Sequence, residues 1–292
     1  MSHVSIVIPS LNSRTVPGVV DALGVQTCAD AVREILVVGL DEPGVIQSDS
    51  RIHFVSTRRP VCAAAARNLG LSLARSDVRI VLDADCFPAV DWLAHLLDRY
   101  AQGERVVSGC VMFEQSNYWT LADNLSLFHE FMADQPAGLR SYLPTANLLC
   151  DREVLDRVGG MDESFPGAAG EDIDWTIRMR RAGFRLYFEP AARVTHRPPR
   201  VTLRDSVRHF WWSGRNMSRV RWQYRDEYKT PGMMRSAFWL VTLSPLVGLW
   251  ATARLFAGNR HVWRYLHTAP AIWLTKVVWC LGAARQVTAQ EL

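Results

Sequence analysis

The stretch RIVLDADCF, residues 79–87, leads a run of apolar and β-branched residues into two carboxylates that stand one residue apart. The pattern predicts a strand over 79–85 that is buried on both faces. Removing an unpaired carboxylate from water costs several kcal/mol, so Asp83 and Asp85 do not end this strand inside a core. They lie beyond it in solvent, or they hold a cation.

Similar apolar runs alternate with helical patterns along the first half of the chain. Further strands are predicted over 4–9, 33–40 and 51–57, and helices over 16–26, 62–75 and 90–101. This alternation predicts an α/β fold with a mostly parallel sheet flanked by helices. Ligands bind such sheets at the carboxyl ends of the strands, and Asp83 and Asp85 stand at one of these ends.

Beyond residue 100 the predicted elements become shorter. Strands are predicted over 105–113, 145–150, 185–189 and 193–196, and a Pro- and Gly-bearing loop over 135–144. Helices are predicted over 118–133, over 151–158, and from Glu171 to near Gly183. The mixture extends the same α/β pattern to about residue 200.

Composition supports a large folded domain with an appendage. The chain has 292 residues, of which 49% are apolar, and its net charge of +4 neither favours nor excludes nucleic acid. Its six cysteines lack metal-ligand spacing and lie in apolar segments, which is typical of reduced thiols in the cytosol. Because the N-terminus runs directly into a strand pattern, we expect no signal peptide.

The chain changes character after Pro199. From Arg193 to Arg235 it carries eleven Lys and Arg against three acids, and two apolar runs, 236–253 and 265–284, follow. One interpretation is a pair of helices that pack on the first domain or on a second subunit. The other is an interfacial hairpin, with the basic, Trp-rich stretch at the headgroups of a membrane. The adjoining apolar runs make nucleic acid a less attractive partner.

The first candidate site is the pair Asp83 and Asp85. Carboxylates at this spacing can reach one hard cation if the turn at Ala84 bends the chain, and Mg²⁺ uses one or two protein carboxylates together with substrate phosphates. The alternative is a loop with two solvated acids.

The second candidate is the helix start at Glu171 and Asp172. Acids are favoured there by the helix dipole alone, but the small PGAAG loop before them, residues 166–170, would let a carboxylate face a cleft as a general base. Asp174 is expected to face solvent or to pair with Arg178.

His196 and Arg67 complete the candidates. His196 is either a structural histidine or a neutral imidazole that joins Asp85 on a metal. Arg67 lies in an Ala-rich helix, where it would bind a diphosphate or extend to solvent.

Taken in order, these segments resemble the family 2 glycosyltransferases of the GT-A (Rossmann-like) fold. The matching segments are SIVIPSLNS (5–13), AAARNLGLSLA (64–74), IVLDAD (80–85), GGMDESF (159–165) and GEDIDWTIRMRRAGFRLYFEPAARVTH (170–196). They cover roughly residues 4–200, and their order and spacing make a chance agreement improbable.

The resemblance implies an inverting, metal-dependent transfer from a nucleoside-diphosphate sugar. In this family's pattern Asp172 is the catalytic base, Glu171 positions the acceptor, and Asp85 holds Mg²⁺ or Mn²⁺ with His196. Donor binding falls to Pro9, Asn12, Asp41, Arg67 and Asp83. One departure concerns the second strand, which ends LVVGLDEPG (36–44). Gly39 stands where the family commonly has an acid that contacts the nucleobase of the donor, and Asp41 follows two positions later.

The sequence therefore predicts a glycosyltransferase with a nucleotide-sugar-binding and catalytic domain over 1–200 and a helical extension over 201–292. The predicted acceptor is a glycan or a lipid-linked molecule. The extension is predicted to be membrane-associated or dimerising. The predicted location is the cytoplasm, with the chain peripheral at or anchored in the cytoplasmic face of the membrane. The alternatives are a non-catalytic interaction protein of the same fold and a sugar nucleotidyltransferase. The latter would usually show a glycine-rich phosphate loop with a catalytic lysine near the N-terminus, and none is seen there.

Overall fold

A computed structural model describes residues 3–114, 117–165, 167 and 169–290. The chain divides into two compact units. The first comprises Met1–Met112, Phe131–Phe165 and Glu171–Arg197, and the second comprises Phe113–Glu130, Pro166–Gly170 and Pro198–Leu292. The predicted boundary at residue 200 stays a prediction, but the second unit also takes in two segments from earlier in the chain.

One mixed sheet organises the first unit. Within the described residues its strands are β1 (Val4–Leu11), β2 (Val32–Leu40), β3 (Ile52–Ser56), β4 (Val78–Leu82), β5 (Cys86–Pro88), β6 (Val106–Phe113), β7 (Gly138–Leu139), β8 (Asn147–Asp151) and β9 (Leu186–His196). Their order is β3-β2-β1-β4-β8-β6-β9-β5, and β7 pairs with β9. The strands β3, β2, β1 and β4 are parallel, whereas β8 runs antiparallel to β4 and to β6, and β5 antiparallel to β9.

Five α-helices belong to the described part of the first unit. They are α1 (Val16–Gly24), α2 (Ala63–Leu73), α3 (Trp92–Ala101), α5 (Arg152–Val158) and α6 (Glu171–Arg181). Helix α2 packs closely on the sheet because its facing side chains are small: a Cβ on Gly70 would stand 2.3 Å from the Cγ1 of Val7. This close packing fixes the position of Arg67, one turn before Gly70.

The predicted α/β fold with a mixed sheet flanked by helices is confirmed, and two of its details differ. The predicted strands 185–189 and 193–196 form one strand, β9, that continues through Pro190. The short strands β5 and β7 lie where no strand was predicted, since two or three residues carry no period of their own. Each exists because it pairs with β9, and Pro88 is tolerated because β5 lies at the edge of the sheet.

The second unit is helical. Its helices are α4 (Tyr118–Phe128), α7 (Leu203–Gln223), α8 (Arg225–Tyr228), α9 (Ala237–Thr242), α10 (Ser244–Gly258) and α11 (Ala269–Gln290), with a 3₁₀ segment over Arg260–Thr268. The N-terminus of α7 is fixed by a capping box, in which Thr202 and Asp205 each accept a backbone N–H of the other. Among the described helices, none combines the length and the apolar character needed to cross a bilayer.

Candidate active site

A tight turn holds the two carboxylates of the D-x-D segment. Strand β4 ends at Leu82, and the N–H of Asp83 donates to the carbonyl of Ala146. The N–H of Cys86 then donates to the carbonyl of Asp83 at 3.0 Å, which closes a four-residue turn. The turn bends the chain between Asp83 and Asp85 at the carboxyl end of β4, as the sequence predicts.

Asp85 lies in a group of three side chains whose ligand atoms are close enough to hold one metal ion. The Nε2 of His196 is 3.5 Å from the Oδ2 of Asp85, and one ligand atom from each of Asp85, Cys86 and His196 lies within 4.8 Å of the others. The pairing of β5 with β9 produces this group, because Cys86 stands opposite His196 in the register. A carboxylate, an imidazole and a thiol at this spacing suit a divalent transition metal.

Sequence reasoning missed Cys86. A signal was present, since Cys86 directly follows Asp85, but a lone cysteine carries no metal spacing. Only the antiparallel register of the three-residue strand β5 brings it beside His196.

Arg67 connects the D-x-D turn to the helix start of α6. Its Nη2 donates to the Oδ1 of Asp83 at 2.7 Å and its Nη1 to the Oε1 of Glu171 at 2.8 Å. The residue is only 4% exposed, and its buried Nε finds no hydrogen-bond partner among the described residues. Arg67 therefore does not extend to solvent, and it holds together two carboxylates that are far apart in sequence.

Asp172 lies at the same helix start and is partly buried. Burial raises the pKa of its carboxyl to about 7, and the neighbouring charge of Glu171 acts in the same direction, whereas Arg67 opposes both. Its Oδ1 accepts the N–H of Ile173 at 2.8 Å. A carboxylate with a pKa near neutrality can accept a proton and release it again at physiological pH.

Asp174, two residues later, has a different role. Its carboxylate pairs with the Nε of Arg178 at 2.8 Å, and Arg178 also donates to the carbonyls of Val158 and Gly160. The pairing expected as one of two outcomes is therefore present, and Arg178 also ties α6 to the end of α5. Of the PGAAG loop, Pro166 and Ala168 lie outside the described residues.

Neighbouring strand ends hold the predicted donor-binding residues. Pro9 lies within β1, and Asn12, which follows it, has a φ of 58° and accepts the N–H of Glu42 on its Oδ1. The carboxylate of Asp41 accepts the N–H groups of Val45 and Ile46. Asn12 and Asp41 thus shape the loop after β2.

Gly39 has a structural reason to stand where related enzymes carry an acid. Its φ is +142°, and a Cβ there would lie 1.8 Å from the carbonyl oxygen of Ser10. The close approach of β1 and β2 at this point leaves no room for any side chain. A carboxylate that contacts the nucleobase of the donor is therefore excluded at this position of the strand.

The comparisons with known proteins agree with this architecture. The family model described as glycosyl transferase family 2 matches residues 5–159, just over half of the chain. The chain belongs to glycosyl transferase family 2. The prediction of this family from the sequence is confirmed.

Individual relatives of this family 2 chain are moderately similar. It is 30% identical over 225 residues to the pre-mycofactocin glycosyltransferase of Mycobacterium tuberculosis, which covers 70% of this chain and 44% of that protein. It is 30% identical over 176 residues to the Escherichia coli UDP-Glc:alpha-D-GlcNAc-diphosphoundecaprenol beta-1,3-glucosyltransferase WfgD, covering 58% of this chain and 66% of that protein. The chain thus spans less than half the length of the first relative.

A solved structure shares the fold. The mannosyltransferase PcManGT of Pyrobaculum calidifontis, determined in complex with GDP-Man and Mn²⁺, superposes with a TM-score of 0.64 at 18% identity. The superposition covers all of this chain and 88% of that one. It supports the GT-A fold predicted from the sequence.

Proposed function

We propose that this family 2 chain transfers a sugar, with inversion, from a nucleoside-diphosphate sugar to the hydroxyl of an acceptor. The observation that carries the proposal is the arrangement at the carboxyl end of β4. There the ion pairs of Arg67 join the D-x-D turn to the helix start that carries Asp172. One element supplies a metal ligand and the other a base.

Asp172 is the proposed base. It accepts the proton of the acceptor hydroxyl as the acceptor oxygen forms its bond to the anomeric carbon. The bond from that carbon to the diphosphate oxygen breaks, and its electron pair leaves with the diphosphate. A single displacement from the opposite face inverts the anomeric configuration. The raised pKa of Asp172 supports this role, because a base is most effective near the operating pH.

Asp85 and His196 are the proposed metal ligands. Bound there, Mn²⁺ or Mg²⁺ would neutralise the charge that develops on the leaving diphosphate. The imidazole of His196 is a softer donor than Mg²⁺ prefers, which favours Mn²⁺ of the two.

Arg67 and Asp83 are proposed to position the donor together. Both Nη atoms of Arg67 are engaged by carboxylates, which hold its guanidinium in one orientation beside Asp83. Pro9, Asn12 and Asp41 remain the proposed lining of the nucleotide pocket. Because position 39 has no room for an acidic side chain, other groups on these strand ends would recognise the nucleobase of the donor.

The proposed acceptor is lipid-linked or membrane-proximal, and the proposed location is the cytoplasmic face of the membrane. The printed name of the related WfgD describes an acceptor carried on diphosphoundecaprenol. The tail of this chain adds support, because seven Lys and Arg and no acid occur between Glu227 and Glu291.

Thermal stability in the presence of UDP-, GDP- and dTDP-sugars tests the donor site, each with Mn²⁺, with Mg²⁺ and without metal. A ligand that binds only the folded state raises its stability by RT ln(1 + [L]/Kd). We expect a metal-dependent rise with one nucleotide, lost in Asp85→Ala and retained in the control Asp156→Asn, which alters an exposed acid of α5. If no donor raises the stability with either metal, the proposal fails.

Turnover separates the enzyme from a non-catalytic relative. With the donor identified, release of nucleoside diphosphate and the anomeric configuration of the product are measured by NMR. Inversion is expected. Donor binding without any turnover, in the presence of membrane extracts as acceptor source, would favour an interaction protein of the same fold.

A further inference from the structure

Over Ser244–Thr252 of helix α10, in the second unit, large apolar side chains face outward and small or polar ones face inward, whereas Leu255 and Phe256 near the end of the helix are buried. Leu246, Leu249 and Trp250 are 63%, 60% and 62% exposed, whereas Ser244 and Thr252 are buried. An ordinary surface helix turns its large apolar residues inward and its polar residues outward. The spacing of the exposed residues keeps them on one side of the helix.

The buried side of α10 is built for close backbone contact. Ser244, Gly248 and Thr252 recur every four residues, and a Cβ on Gly248 would stand 3.1 Å from the carbonyl oxygen of Trp273 in α11. The hydroxyls of Ser244 and Thr252 donate to carbonyls of the preceding turn, so neither requires water. Small residues at this spacing are typical of helices that pack within lipid, where large apolar side chains face outward.

Two further exposed tryptophans lie against the two ends of α10. The indole N–H of Trp273 donates to the carbonyl of Pro245 at 3.0 Å, and that of Trp263 to the carbonyl of Phe256 at 2.7 Å. Both rings remain exposed. With their polar atoms satisfied inside the protein, they present mainly apolar surface outward.

We call Leu246, Leu249, Trp250, Trp263 and Trp273 the α10 face. Of the nineteen large apolar residues exposed in the described part of the chain, nine lie between Phe238 and Trp273. Such a concentration marks an interaction surface rather than the scatter that is normal on a protein surface.

The charge around the α10 face identifies its partner. Arg254, Arg260 and Arg264 lie on or next to α10, and Arg254 stacks on the ring of Trp250 at 5.3 Å. The stretch from residue 228 to 290 contains no acid at all. Arginines beside exposed Trp and Leu are the combination by which a helix lies in the headgroup region of an anionic bilayer.

We propose that the α10 face inserts into the surface of a membrane that contains anionic lipid, with α10 lying in the plane of the interface. At 15 residues α10 is about 22 Å long, too short to cross a hydrocarbon core of about 30 Å. The inference rests on the proposed function in one respect, since it gives a physical basis for an acceptor at the membrane. Binding of the α10 face to a membrane can nevertheless be measured without any sugar transfer.

Vesicle binding tests the inference. The full chain is sedimented with phosphatidylcholine vesicles that contain or lack 30% phosphatidylglycerol. We expect binding to the anionic vesicles that weakens as salt increases, and at least tenfold weaker partition for the variant Leu246→Gln/Leu249→Gln/Trp250→Gln. The control Val25→Gln/Leu139→Gln changes exposed apolar residues outside α10 and is expected to bind as the wild type does.

Two further measurements separate the outcomes. Arg254→Gln/Arg260→Gln should lose the preference for anionic vesicles and keep the residual binding to neutral ones. If the wild type does not bind vesicles and instead sediments as a dimer that the triple variant dissociates, a second copy covers the α10 face and the inference is wrong. The metal-dependent donor shift of the triple variant reports on the catalytic unit, so failure of docking and failure of the proposed function are distinguished.

Discussion

Arg67 and Trp250 both stand in environments that are unusual for their side chains. Arg67 is a charge in the first unit and only 4% exposed, whereas Trp250 is a large apolar side chain in the second unit and 62% exposed. The first is explained inside the molecule, because two carboxylates neutralise the guanidinium. No such internal explanation serves Trp250, and its explanation is sought in a partner. Buried charge thus indicates a site, and exposed apolar surface indicates an interface.

Removing the proposed base should give the largest effect. Asp172→Asn keeps the size of the side chain but cannot accept a proton, so we expect turnover to fall about 10²–10⁴-fold. In the wild type, activity should decline as the pH falls below about 7, because the carboxylate is then protonated. Initial rates at pH 5.5 to 9, with Asp156→Asn as control, check both expectations. Near-normal turnover of Asp172→Asn would remove Asp172 from the mechanism.

The same substitution should change stability in the opposite direction. The folded pKa of Asp172 is raised to about 7 from a usual value of 3.8, so the folded state binds a proton that the unfolded state has lost between these pH values. Stability therefore falls as the pH rises from 4 to 7. Asp172→Asn should be more stable than the wild type at pH 8, by on the order of 1 kcal/mol or more, and the gain should disappear towards pH 4. Urea unfolding at the two pH values measures it.

Breaking the buried ion pairs should come next. Arg67→Met leaves Asp83 and Glu171 without their shared cation, and we expect a loss of about 3–5 kcal/mol in the free energy of unfolding. Adding Glu171→Gln should restore part of it, since one buried charge is then removed. The matched control is Glu153→Gln, which breaks an exposed pair with Arg157 and should change stability by less than about 0.5 kcal/mol.

If Arg67→Met and Glu153→Gln lowered the free energy of unfolding equally, the buried ion pairs of Arg67 would contribute no more to stability than an exposed pair. Both pairs are ionic, and they differ in burial: the Arg67 and Glu171 side chains are 5% and 2% exposed, and those of Glu153 and Arg157 are each 55% exposed. The experiment therefore measures what burial contributes to an ion pair in this protein.

Metal affinity should change less. Asp85→Ala and His196→Ala each remove one proposed ligand, and we expect Mn²⁺ binding to weaken at least about tenfold, since even outer contacts of a metal site contribute about 10–100-fold. Calorimetric titration with Mn²⁺ measures the affinity directly, without turnover. Cys86→Ala is the control within the cluster and should change Mn²⁺ affinity by less than about threefold, because Mn²⁺ prefers oxygen ligands to thiols. Unchanged affinity in His196→Ala would exclude the imidazole as a ligand.

The sequence predicts much of the first unit and little of the second. The strands β1, β2 and β4 can be predicted because each is a continuous run of apolar and β-branched residues. The position of Asp83 and Asp85 at the end of β4 follows from the same pattern. The partners of Arg67 could not be predicted, because Asp83 and Glu171 lie 16 and 104 residues away and only the fold brings them to one guanidinium. Cys86 was missed for the same reason, since its neighbour His196 is set by a strand of three residues.

The apolar tail shows a second limit of prediction from sequence, which concerns the orientation of a helix. Its hydropathy is clear from residues 236–253, but the composition does not tell which side of a helix faces inward. The structure divides this run into α9 and α10 and turns Ser244, Gly248 and Thr252 inward. The reversal is a property of tertiary packing, so periodicity alone predicts the helix and not its orientation.

Close helix packing in the second unit gives a further prediction. A Cβ on Gly214 of α7 would stand 2.0 Å from the carbonyl oxygen of Trp279 in α11, and one on Gly282 would stand 2.1 Å from that of Trp211. The two backbones meet through these glycines, as they do at Gly248. Gly214→Ala must separate the helices at a cost of about 1–3 kcal/mol, which the better helix propensity of alanine, about 1 kcal/mol, offsets only in part.

Thermal unfolding compares Gly214→Ala with Gly24→Ala, where an added Cβ meets nothing within 4 Å and should be neutral or slightly stabilising. A lower melting temperature for Gly214→Ala alone would show that the second unit is held by close backbone contact. If Gly214→Ala were as stable as Gly24→Ala, the α7–α11 contact would be looser than the structure has it, and close backbone contact would not be what holds these two helices together.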